Sequence, residues 1–410
     1  MSPAARTVPA EAPVSRVARS GRARVMHLLP DLVRGGGQVV VAELLAHMDR
    51  DRFEAHVVAL DGPRDMAGDF AALGCPPVVL DGSGPRLLAA VVGAVRSIEP
   101  DLIHVHSGRD RKLGQLAALL TRTPVVGHLH SPWAHLEAMH RPDAGATTRA
   151  FSRSKAWLRR KVEEHTVVAY VAVGTAVADF HEPQMAAPVH IVHNGIDTHR
   201  FAPATRESRN SARDLLGVPR DAPVVTFVGR LAEGKGQDTL ISVVAELPGV
   251  QLVLLGSGDR HAELVALARR SGVEDRVVFA GDRDDVADLL VSADLFAMAS
   301  VSEGLPLSVL EALACGVPVV SYDLPGLRDV LGDGQAGTLV DHGDEAALGA
   351  TLASLLGDPG TLRRMAVAAR RTAESRFDSR VMATEVEAVY DSVLEPPDRA
   401  GSGSAGVARA

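Results

Sequence analysis

The chain has 410 residues, a length that predicts two domains of ordinary size. Hydrophobic residues make up 46% of it and charged residues 23%, which excludes a fibrous or wholly disordered protein. Its 43 Lys and Arg residues against 51 Asp and Glu give a net charge of −8, and only 3% of residues are aromatic, so nucleic-acid binding is not expected. With only two cysteines, the chain cannot have a disulfide framework or a cysteine-rich metal site, which is compatible with a reducing cytosol.

The two ends of the chain have the composition of unfolded segments. Residues 1–22 carry arginines among Ala, Pro and Ser and lack the continuous apolar region of a signal peptide, so a disordered extension is expected. The tail over 395–410 has linker composition and is also expected to be disordered. No stretch has the length and hydrophobicity of a membrane-spanning helix. The sequence therefore predicts a cytoplasmic protein, with peripheral contact at the inner face of the membrane as an open alternative.

Short apolar runs alternate with helix-length amphipathic segments over residues 23–200. Such runs are typical of buried parallel strands, and they lie at 25–29, 55–60, 77–80, 101–106, 124–130 and 169–173. Helices are predicted between them, at 38–48, 85–98 and 110–121. Repeated βα units predict a doubly wound parallel sheet, so this part of the chain is expected to be a Rossmann-like α/β domain.

A polar stretch over 201–214, FAPATRESRNSARD, interrupts the alternation and is predicted to be the hinge. Apolar runs then resume at 223–229, 250–256, 276–281, 293–299 and 317–322. A second Rossmann-like domain is therefore predicted over 201–375, and a C-terminal helix over 376–394 could cross back to the first domain. If the two sheets face each other, the carboxyl ends of their strands meet at one crevice, where ligands bind in such folds.

Three consecutive glycines, Gly35, Gly36 and Gly37, follow the first predicted strand and precede a predicted helix. Glycine lets the backbone approach an anion closely, and a helix N-terminus supplies free amide groups. These are the elements of a phosphate-binding loop, although the GxGxxG pattern is absent. A loop selected only for a tight turn explains the glycines equally well.

A sharper signal lies in the second domain, in the stretch EGLPLSVLE. Glu303 follows a predicted strand, and Glu311 lies eight residues later, in a helix predicted to begin at Pro306. If the stretch is largely helical, the two residues are separated by about 12 Å, which is the order of size of a nucleotide sugar. One carboxylate could bind sugar hydroxyls and the other a ribose, with phosphates near the helix N-terminus. A surface glutamate beside a buried capping carboxylate is the alternative, and spacing alone does not decide between them.

The EGLPLSVLE stretch resembles the E-x7-E motif of the family 4 glycosyltransferases, which have the GT-B fold and retain the anomeric configuration of the sugar. Three further segments are similar to family motifs and stand in the family's order: RGGGQVVVAELL at 34–45, VHNGID at 192–197 and VGRLAEGKG at 228–236. The resemblance covers nearly the whole predicted folded chain. It implies two Rossmann-like domains facing across a cleft, the first binding the acceptor and the second binding the nucleotide sugar.

The resemblance also implies roles for individual residues. Arg230 and Lys235 match the family's basic loop, in which two cations can stabilise a leaving diphosphate without a metal ion. Because these two cations could do the work that a divalent ion does elsewhere, neither a metal ion nor another cofactor is expected. His130 matches a histidine near the donor sugar, His106 is the alternative, and His128 is expected on the other face of the strand. The predicted catalytic residues are His130, Glu303, Arg230 and Lys235.

The remaining predicted site residues would bind the donor nucleotide and its phosphates. They are Gly36, Gly37, Asn194, Gly256, Asp282, Leu307, Ser308 and Glu311. Asp282 falls where the family commonly holds the base. The chain departs from the family pattern after its Pro-Gly turn, where Asp329 stands in place of a frequent glutamate, so no role is carried over to it.

The segment over 147–165 interleaves Phe151, Trp157 and Leu158 with six Arg and Lys residues. It could lie on an anionic bilayer. A helix that packs one face on the sheet and exposes the other to water is the preferred interpretation. The same ambiguity leaves both lipid-linked and soluble acceptors open.

The predicted function is that of a retaining, metal-independent glycosyltransferase with a front-face mechanism. It would move a hexose-type sugar from a nucleotide-diphosphate donor, a UDP-sugar in preference to a GDP-sugar, to a hydroxyl acceptor. Cell-envelope glycans, glycolipids and natural products are the candidate products. A nucleotide-sugar epimerase or a phosphorylase on the same architecture is the alternative among enzymes. A non-catalytic nucleotide-sugar-binding protein is the other alternative, and the presence of Glu303, Glu311, Arg230 and Lys235 together argues against it.

Overall fold

The computed structural model describes residues 21–106, 108–131, 157–158 and 160–394. The predicted N-terminal extension as far as residue 20, the predicted C-terminal tail and most of the basic segment over 147–165 lie outside these residues. Every helix within the described residues is too short or too polar to span a membrane.

The first domain is built on a seven-stranded parallel sheet with the strand order β3-β2-β1-β4-β5-β6-β7. Its strands are β1 Ala23–Leu29, β2 Phe53–Leu60, β3 Val78–Leu80, β4 Leu102–Val105, β5 Val125–Leu129, β6 Val167–Ala172 and β7 Val189–Ile191. Its helices are α1 Gly36–His47, α2 Ala67–Ala72, α3 Gly84–Ile98, α4 Gly108–Thr121 and α5 Thr175–His181. Residues 160–166 are also helical.

The second domain is built on a six-stranded parallel sheet with the order β10-β9-β8-β11-β12-β13. Its strands are β8 Val224–Val228, β9 Gln251–Leu255, β10 Val277–Gly281, β11 Leu295–Met298, β12 Val319–Tyr322 and β13 Gly337–Val340. Its helices are α6 Arg206–Leu216, α7 Gln237–Ala245, α8 His261–Arg270, α9 Val286–Leu290, α10 Leu307–Ala314, α11 Pro325–Leu331, α12 Glu345–Leu356 and α13 Pro359–Arg376. The prediction of two doubly wound, Rossmann-like domains is confirmed.

Four inner strands are buried at every position: β4 and β5 of the first sheet and β11 and β12 of the second. Helices cover both faces of such sheets, so their strands appear in the sequence as continuous apolar runs. Two edge strands, β7 and β13, had no counterpart in the sequence prediction. They have three and four residues and are only partly buried, so their apolar signal is weak.

The polar stretch over 201–214 is not an irregular interruption, because α6 occupies most of it. Thr205 begins the helix with a capping box in which its side chain accepts a hydrogen bond from the Ser208 amide, and Gly217 ends it in the left-handed conformation with φ 68°. Only Ala212 and Arg213 of the helix are buried. An exposed helix of this kind needs few apolar residues, so its composition resembles that of a hinge.

The last helix, α14 Ser379–Leu394, packs on the first domain although the sequence before it belongs to the second. Its main contact partners are α1 and β6. The connection is held by backbone hydrogen bonds, from the Ile196 amide to the Phe377 carbonyl over 2.8 Å and from the Ser379 amide to the Ile196 carbonyl over 3.0 Å. The chain therefore crosses between the domains at least twice, and both crossings lie side by side.

Candidate active site

The two domains meet at the carboxyl ends of their sheets. Gly304, in the loop after β11, lies against the residue that follows β5: a Cβ atom at Gly304 would be 2.3 Å from the His130 carbonyl oxygen. Asn194, which follows β7, is buried and donates a hydrogen bond from Nδ2 to the Leu305 carbonyl over 2.8 Å. Leu307 packs against the hydrophobic clusters of both domains. The structure thus brings predicted site residues of both domains to one cleft.

The glycine loop of the first domain faces this cleft. Gly36 and Gly37 form the first turn of α1, and no side chain caps that helix, so its first amide groups are free to bind a ligand. A Cβ atom at Gly37 would lie 3.8 Å from the His130 ring. The loop and His130 therefore form one wall of the site, as a phosphate-binding or sugar-binding role would require.

Lys235 and Glu303 form an ion pair on the opposite wall, with Nζ and Oε1 separated by 2.8 Å. Both side chains are mostly buried: 12% of the Glu303 side chain and 29% of the Lys235 side chain are exposed. The loop that carries Lys235 is held close to β11, since a Cβ atom at Gly236 would lie 2.1 Å from the Ala299 carbonyl oxygen. Gly236 also has φ 74°, which favours glycine, so the position of Lys235 depends on this residue.

Arg230 stands at the start of the same loop and is exposed. Its backbone carbonyl accepts a hydrogen bond from Gln237 Nε2 over 2.8 Å, while no ion pair engages its guanidinium group in the part of the chain that the structure describes. A free guanidinium beside a partnered lysine gives this wall a net positive charge toward the cleft. Such a pair of cations suits a diphosphate.

Glu311 lies one turn into α10 and faces charged groups of the crossover region. Burial raises the pKa of its carboxyl group to about 7, with Arg200 opposing the shift and Glu43 of the first domain adding to it. Burial also raises the pKa of Glu43, which accepts a hydrogen bond from Ser379 Oγ over 2.7 Å. Two carboxyl groups from different domains therefore lie near each other at the back of the cleft.

The other predicted donor contacts surround this wall. Gly256 has φ 133°, and a Cβ atom there would lie 2.2 Å from the Gly229 carbonyl oxygen, so the loops after β8 and β9 pack backbone against backbone. Leu307 and Ser308 form the first turn of α10, which no side chain caps. Asp282 accepts hydrogen bonds from the Ser257 amide, over 3.0 Å, and from the Ser257 hydroxyl. Both carboxylate oxygens of Asp282 therefore hold the loop after β9.

The expectation that His128 faces away from His130 is wrong. The two rings are stacked, with centroids 4.2 Å apart and an angle of 10° between their planes. Residues i and i+2 of a strand share a face, so the alternation of side chains predicts this arrangement and the expectation misapplied it. His106 lies behind them, with its ring centroid 5.8 Å from that of His130.

Five histidines are thereby gathered on one face of the first sheet: His27, His104, His106, His128 and His130. Burial lowers the pKa of each of them, to about 3 for His27 and to about 4 for His130. At neutral pH these rings are uncharged, so His130 would meet a ligand as a neutral hydrogen-bonding group. The sequences HVH and HLH, which stand at the ends of successive strands, were the feature from which this cluster could have been predicted.

Asp329 makes a second contact between the domains that was missed in the sequence. Its carboxylate accepts a hydrogen bond from the Thr175 amide, at the start of α5, over 2.7 Å. The same oxygen, Oδ2, lies 3.4 Å from Nε2 of His193. Because α11 belongs to the second domain and α5 to the first, this carboxylate joins the domains beside the cleft. Only the packing of the two domains places these residues together.

Comparison with known proteins agrees with this geometry. The family described as "Glycosyltransferase Family 4" matches residues 34–200, and the one described as "Glycosyl transferases group 1" matches residues 208–372. Alpha-maltose-1-phosphate synthase of Mycolicibacterium smegmatis is 32% identical over 386 residues, which is 89% of this chain and 97% of that protein. The chain belongs to the family 4 glycosyltransferases. It is therefore a transferase, and the family that its motifs resemble is confirmed.

Further comparisons place this family 4 glycosyltransferase among enzymes of the same architecture. D-inositol 3-phosphate glycosyltransferase of M. smegmatis is 33% identical over 297 residues, covering 67% of this chain and 65% of that protein. The crystal structure of HepE from Anabaena in complex with UDP and glucose superimposes with a TM-score of 0.78 at 24% identity, covering 90% of this chain and 100% of HepE. The structural similarity confirms the predicted GT-B fold.

Proposed function

We propose that this glycosyltransferase moves a hexose-type sugar from a UDP-sugar to a hydroxyl acceptor, with retention of configuration and without a metal ion. The observation that carries the proposal is the arrangement of the Lys235–Glu303 ion pair and the exposed Arg230 on one wall of the cleft, with His130 on the other. The cations suit the diphosphate, and the carboxylate and the histidine suit the hydroxyls of the sugar between them.

The charges in the cleft match those that develop during sugar transfer. When the bond between the anomeric carbon and the phosphate oxygen breaks, the leaving UDP gains negative charge, which Arg230 and Lys235 would stabilise. The acceptor oxygen would bond to the same face of the anomeric carbon and pass its proton to the leaving phosphate. Glu303 and the neutral His130 would hold the sugar while its ring carries partial positive charge. This sequence of events needs no metal ion and retains the configuration.

The preference for uridine is supported by relatives of the same fold. HepE from Anabaena was crystallised with UDP, with UDP-glucose, and with UDP and glucose. In this chain the N-terminus of α10, which no side chain caps, would bind the phosphates, and the ribose would then lie near Glu311 one turn later. The acceptor would enter from the first domain, beside the glycine loop, and a glycan, a lipid-linked sugar and a small natural product are the candidate acceptors.

The experiment is nucleotide diphosphate release by purified, chelator-treated protein from a panel of UDP-, GDP-, ADP- and dTDP-sugars, with the product masses recorded. We expect release of UDP from a UDP-hexose in the presence of chelator. NMR of the product should show the same anomeric configuration, with an axial linkage, as in the donor. Release from a GDP-sugar alone would overturn the donor assignment. An isomeric nucleotide sugar would identify an epimerase, and tight donor binding without turnover across acceptors would identify a binding protein.

A further inference from the structure

Below the proposed sugar site, β1 and β4 place three histidines together in the interior of the first domain. His27 and His104 are direct neighbours in the parallel register of these strands, and His106 follows two residues later on the same face. All three side chains are buried, with residue exposures of 0%, 0% and 4%. Histidine is only intermediate in how often it is buried, so three fully buried histidines in contact call for a physical explanation.

Half of their six ring nitrogens lack a hydrogen-bond partner. His27 Nδ1 lies 3.3 Å from His106 Nε2, and His104 Nδ1 lies 2.6 Å from the hydroxyl oxygen of Tyr390 in α14. The remaining nitrogen of each ring, His27 Nε2, His104 Nε2 and His106 Nδ1, is buried without a hydrogen-bond partner. Buried polar atoms are almost always satisfied, because leaving them unpaired costs stability. The unpaired Nε2 atom of His104 is therefore available to a ligand at this cluster.

We propose that His27, His104 and His106 bind a late first-row transition-metal ion such as Zn²⁺. One nitrogen atom from each of the three lies within 4.8 Å of the others. Nitrogen ligands about 2.0–2.1 Å from a tetrahedral zinc ion are about 3.3 Å apart, which is the separation of His27 Nδ1 and His106 Nε2. These two atoms and the unpaired His104 Nε2 would be the ligands. Uncharged imidazoles are the ligands that zinc, copper and nickel prefer, whereas magnesium and calcium require oxygen ligands.

Tyr390 would be an outer hydrogen-bond partner of this metal site. A histidine ligand commonly gives its second N–H to an oxygen acceptor, which orients the ring and leaves the other nitrogen free to bind the metal. The contact between His104 Nδ1 and the Tyr390 hydroxyl takes this form in the tautomer that carries its proton on Nδ1. It leaves Nε2, one of the unpaired atoms, as the ligand of His104. The ion would therefore join β1 and β4 to the C-terminal helix, beneath the cleft and outside the proposed sugar-transfer chemistry.

A second set, His106, His128 and His130, also brings one nitrogen from each residue within 4.8 Å of the others. We assign the ion to the deeper set because His130 faces the cleft and because the deeper set has the Tyr390 contact. The two sets share His106 but differ at His27 and His128. Single substitutions at these two positions therefore distinguish them.

The test uses the full chain without a histidine tag, stripped with a chelator, desalted and titrated with Zn²⁺. Elemental analysis after gel filtration should find one zinc ion per chain, and zinc but not Mg²⁺ should raise the midpoint of thermal unfolding in a concentration-dependent way. An absence of retained zinc and of any thermal shift in the wild-type protein would overturn the proposal. This readout does not use sugar transfer, so it is independent of the proposed function.

Three variants assign the ligands. His27→Gln should abolish zinc retention, whereas His128→Gln, a control at another buried histidine on the same face, should keep it. Tyr390→Phe should keep the ligands and weaken zinc affinity by about 10-fold to 100-fold through the lost outer contact. Zinc retained by His27→Gln and lost by His128→Gln would overturn the assignment. If His27→Gln does not fold, X-ray absorption of the zinc-loaded wild-type protein should count three imidazole ligands; a shell without imidazoles would contradict the site.

Discussion

The two walls of the cleft are built in different ways. The wall in the second domain comes from two short segments, over 228–236 and 299–311, in which close backbone contacts fix the charged side chains. The wall in the first domain comes from the ends of several strands, with the C-terminal helix packed behind them. The first kind of wall can be recognised from local motifs. The second exists only once strands far apart in the sequence lie side by side, so its residues are harder to recognise and easier to misassign.

Replacement of Lys235 should have the largest effect, because the wall in the second domain supplies positive charge directly to the leaving diphosphate. Lys235→Ala removes the cation paired with Glu303 at 2.8 Å. We expect kcat/KM to fall by about 10²-fold to 10³-fold, the usual cost of losing one group that stabilises transition-state charge. Nucleotide diphosphate release measures the change. Lys161→Ala, at an exposed lysine that pairs with Glu164, is the matched control and should retain full activity.

A Cβ atom at Gly304 tests whether the two walls must touch. Gly304→Ala places that atom about 2.3 Å from the His130 carbonyl oxygen, so the walls must separate. A displacement on the order of 1 Å can cost about 10² in rate, and a loss of that order in kcat/KM is expected. Gly93→Ala in α3, where a Cβ atom meets no atom within 4 Å, is the control and should be neutral or slightly stabilising. Equal activity of both variants would show that the domain contact is dispensable.

Glu311 should make the stability of the protein depend on pH. Burial raises the pKa of this carboxyl group from 4.5 to about 7, so the folded protein holds the proton more tightly than the unfolded chain does. Its contribution to stability is therefore largest below about pH 4.5, falls as the pH rises to about 7, and is constant above that. Glu311→Gln should remove this loss, so its free energy of unfolding should rise by about 2 kcal/mol relative to that of the wild type between pH 5 and pH 8. This is less than the full pKa shift would give, because the residue keeps some contact with solvent.

Urea unfolding of the ligand-free protein at pH 5 and pH 8 measures this gain. The exposed Glu385→Gln is the control and should follow the wild type at both pH values. A constant difference between Glu311→Gln and wild type would contradict the assignment of the proton to Glu311. The same variant should also bind UDP-sugar more weakly, because an amide accepts hydroxyl hydrogen bonds less strongly than a carboxylate does.

Asp329 should have the smallest effect, because it acts on domain contact rather than on the donor. Asp329→Ala removes the acceptor of the Thr175 amide, at a cost of about 1 kcal/mol. We expect about a fivefold rise in KM with kcat nearly unchanged, whereas Asp329→Asn should retain most of the contact. Steady-state kinetics separate the two parameters. A fall in kcat comparable to that of Lys235→Ala would place Asp329 in the chemistry instead.

The fold could be predicted almost completely from periodicity, and the misses have physical causes. The strands β7 and β13 are short and half-exposed, so they lack a clear apolar run. The helix α6 was hidden by its polar surface, because only two of its residues are buried. These elements lie at the edges and surface of the domains, where few residues are buried and the sequence therefore shows no clear apolar pattern.

The candidate site was predictable to the extent that its residues belong to one motif. Gly236, Lys235 and Glu303 come from segments that carry their own spacing, and the structure places them together. Glu43 and Ser379, which share a hydrogen bond over 2.7 Å, are separated by 336 residues, so no local motif could show that they meet. His128 was assigned to the wrong face although the rule of alternation was sufficient.

The sequence by itself determined the alternation of strands and helices, because burial on both faces of a parallel sheet selects apolar runs whatever the partner strands are. It also determined the donor-side motif and, through it, the family. Only the tertiary structure decided which strand ends are neighbours, how the final helix returns to the first domain, and that histidines from three strands lie in contact. Those contacts depend on register and domain packing between distant residues, which local periodicity does not encode.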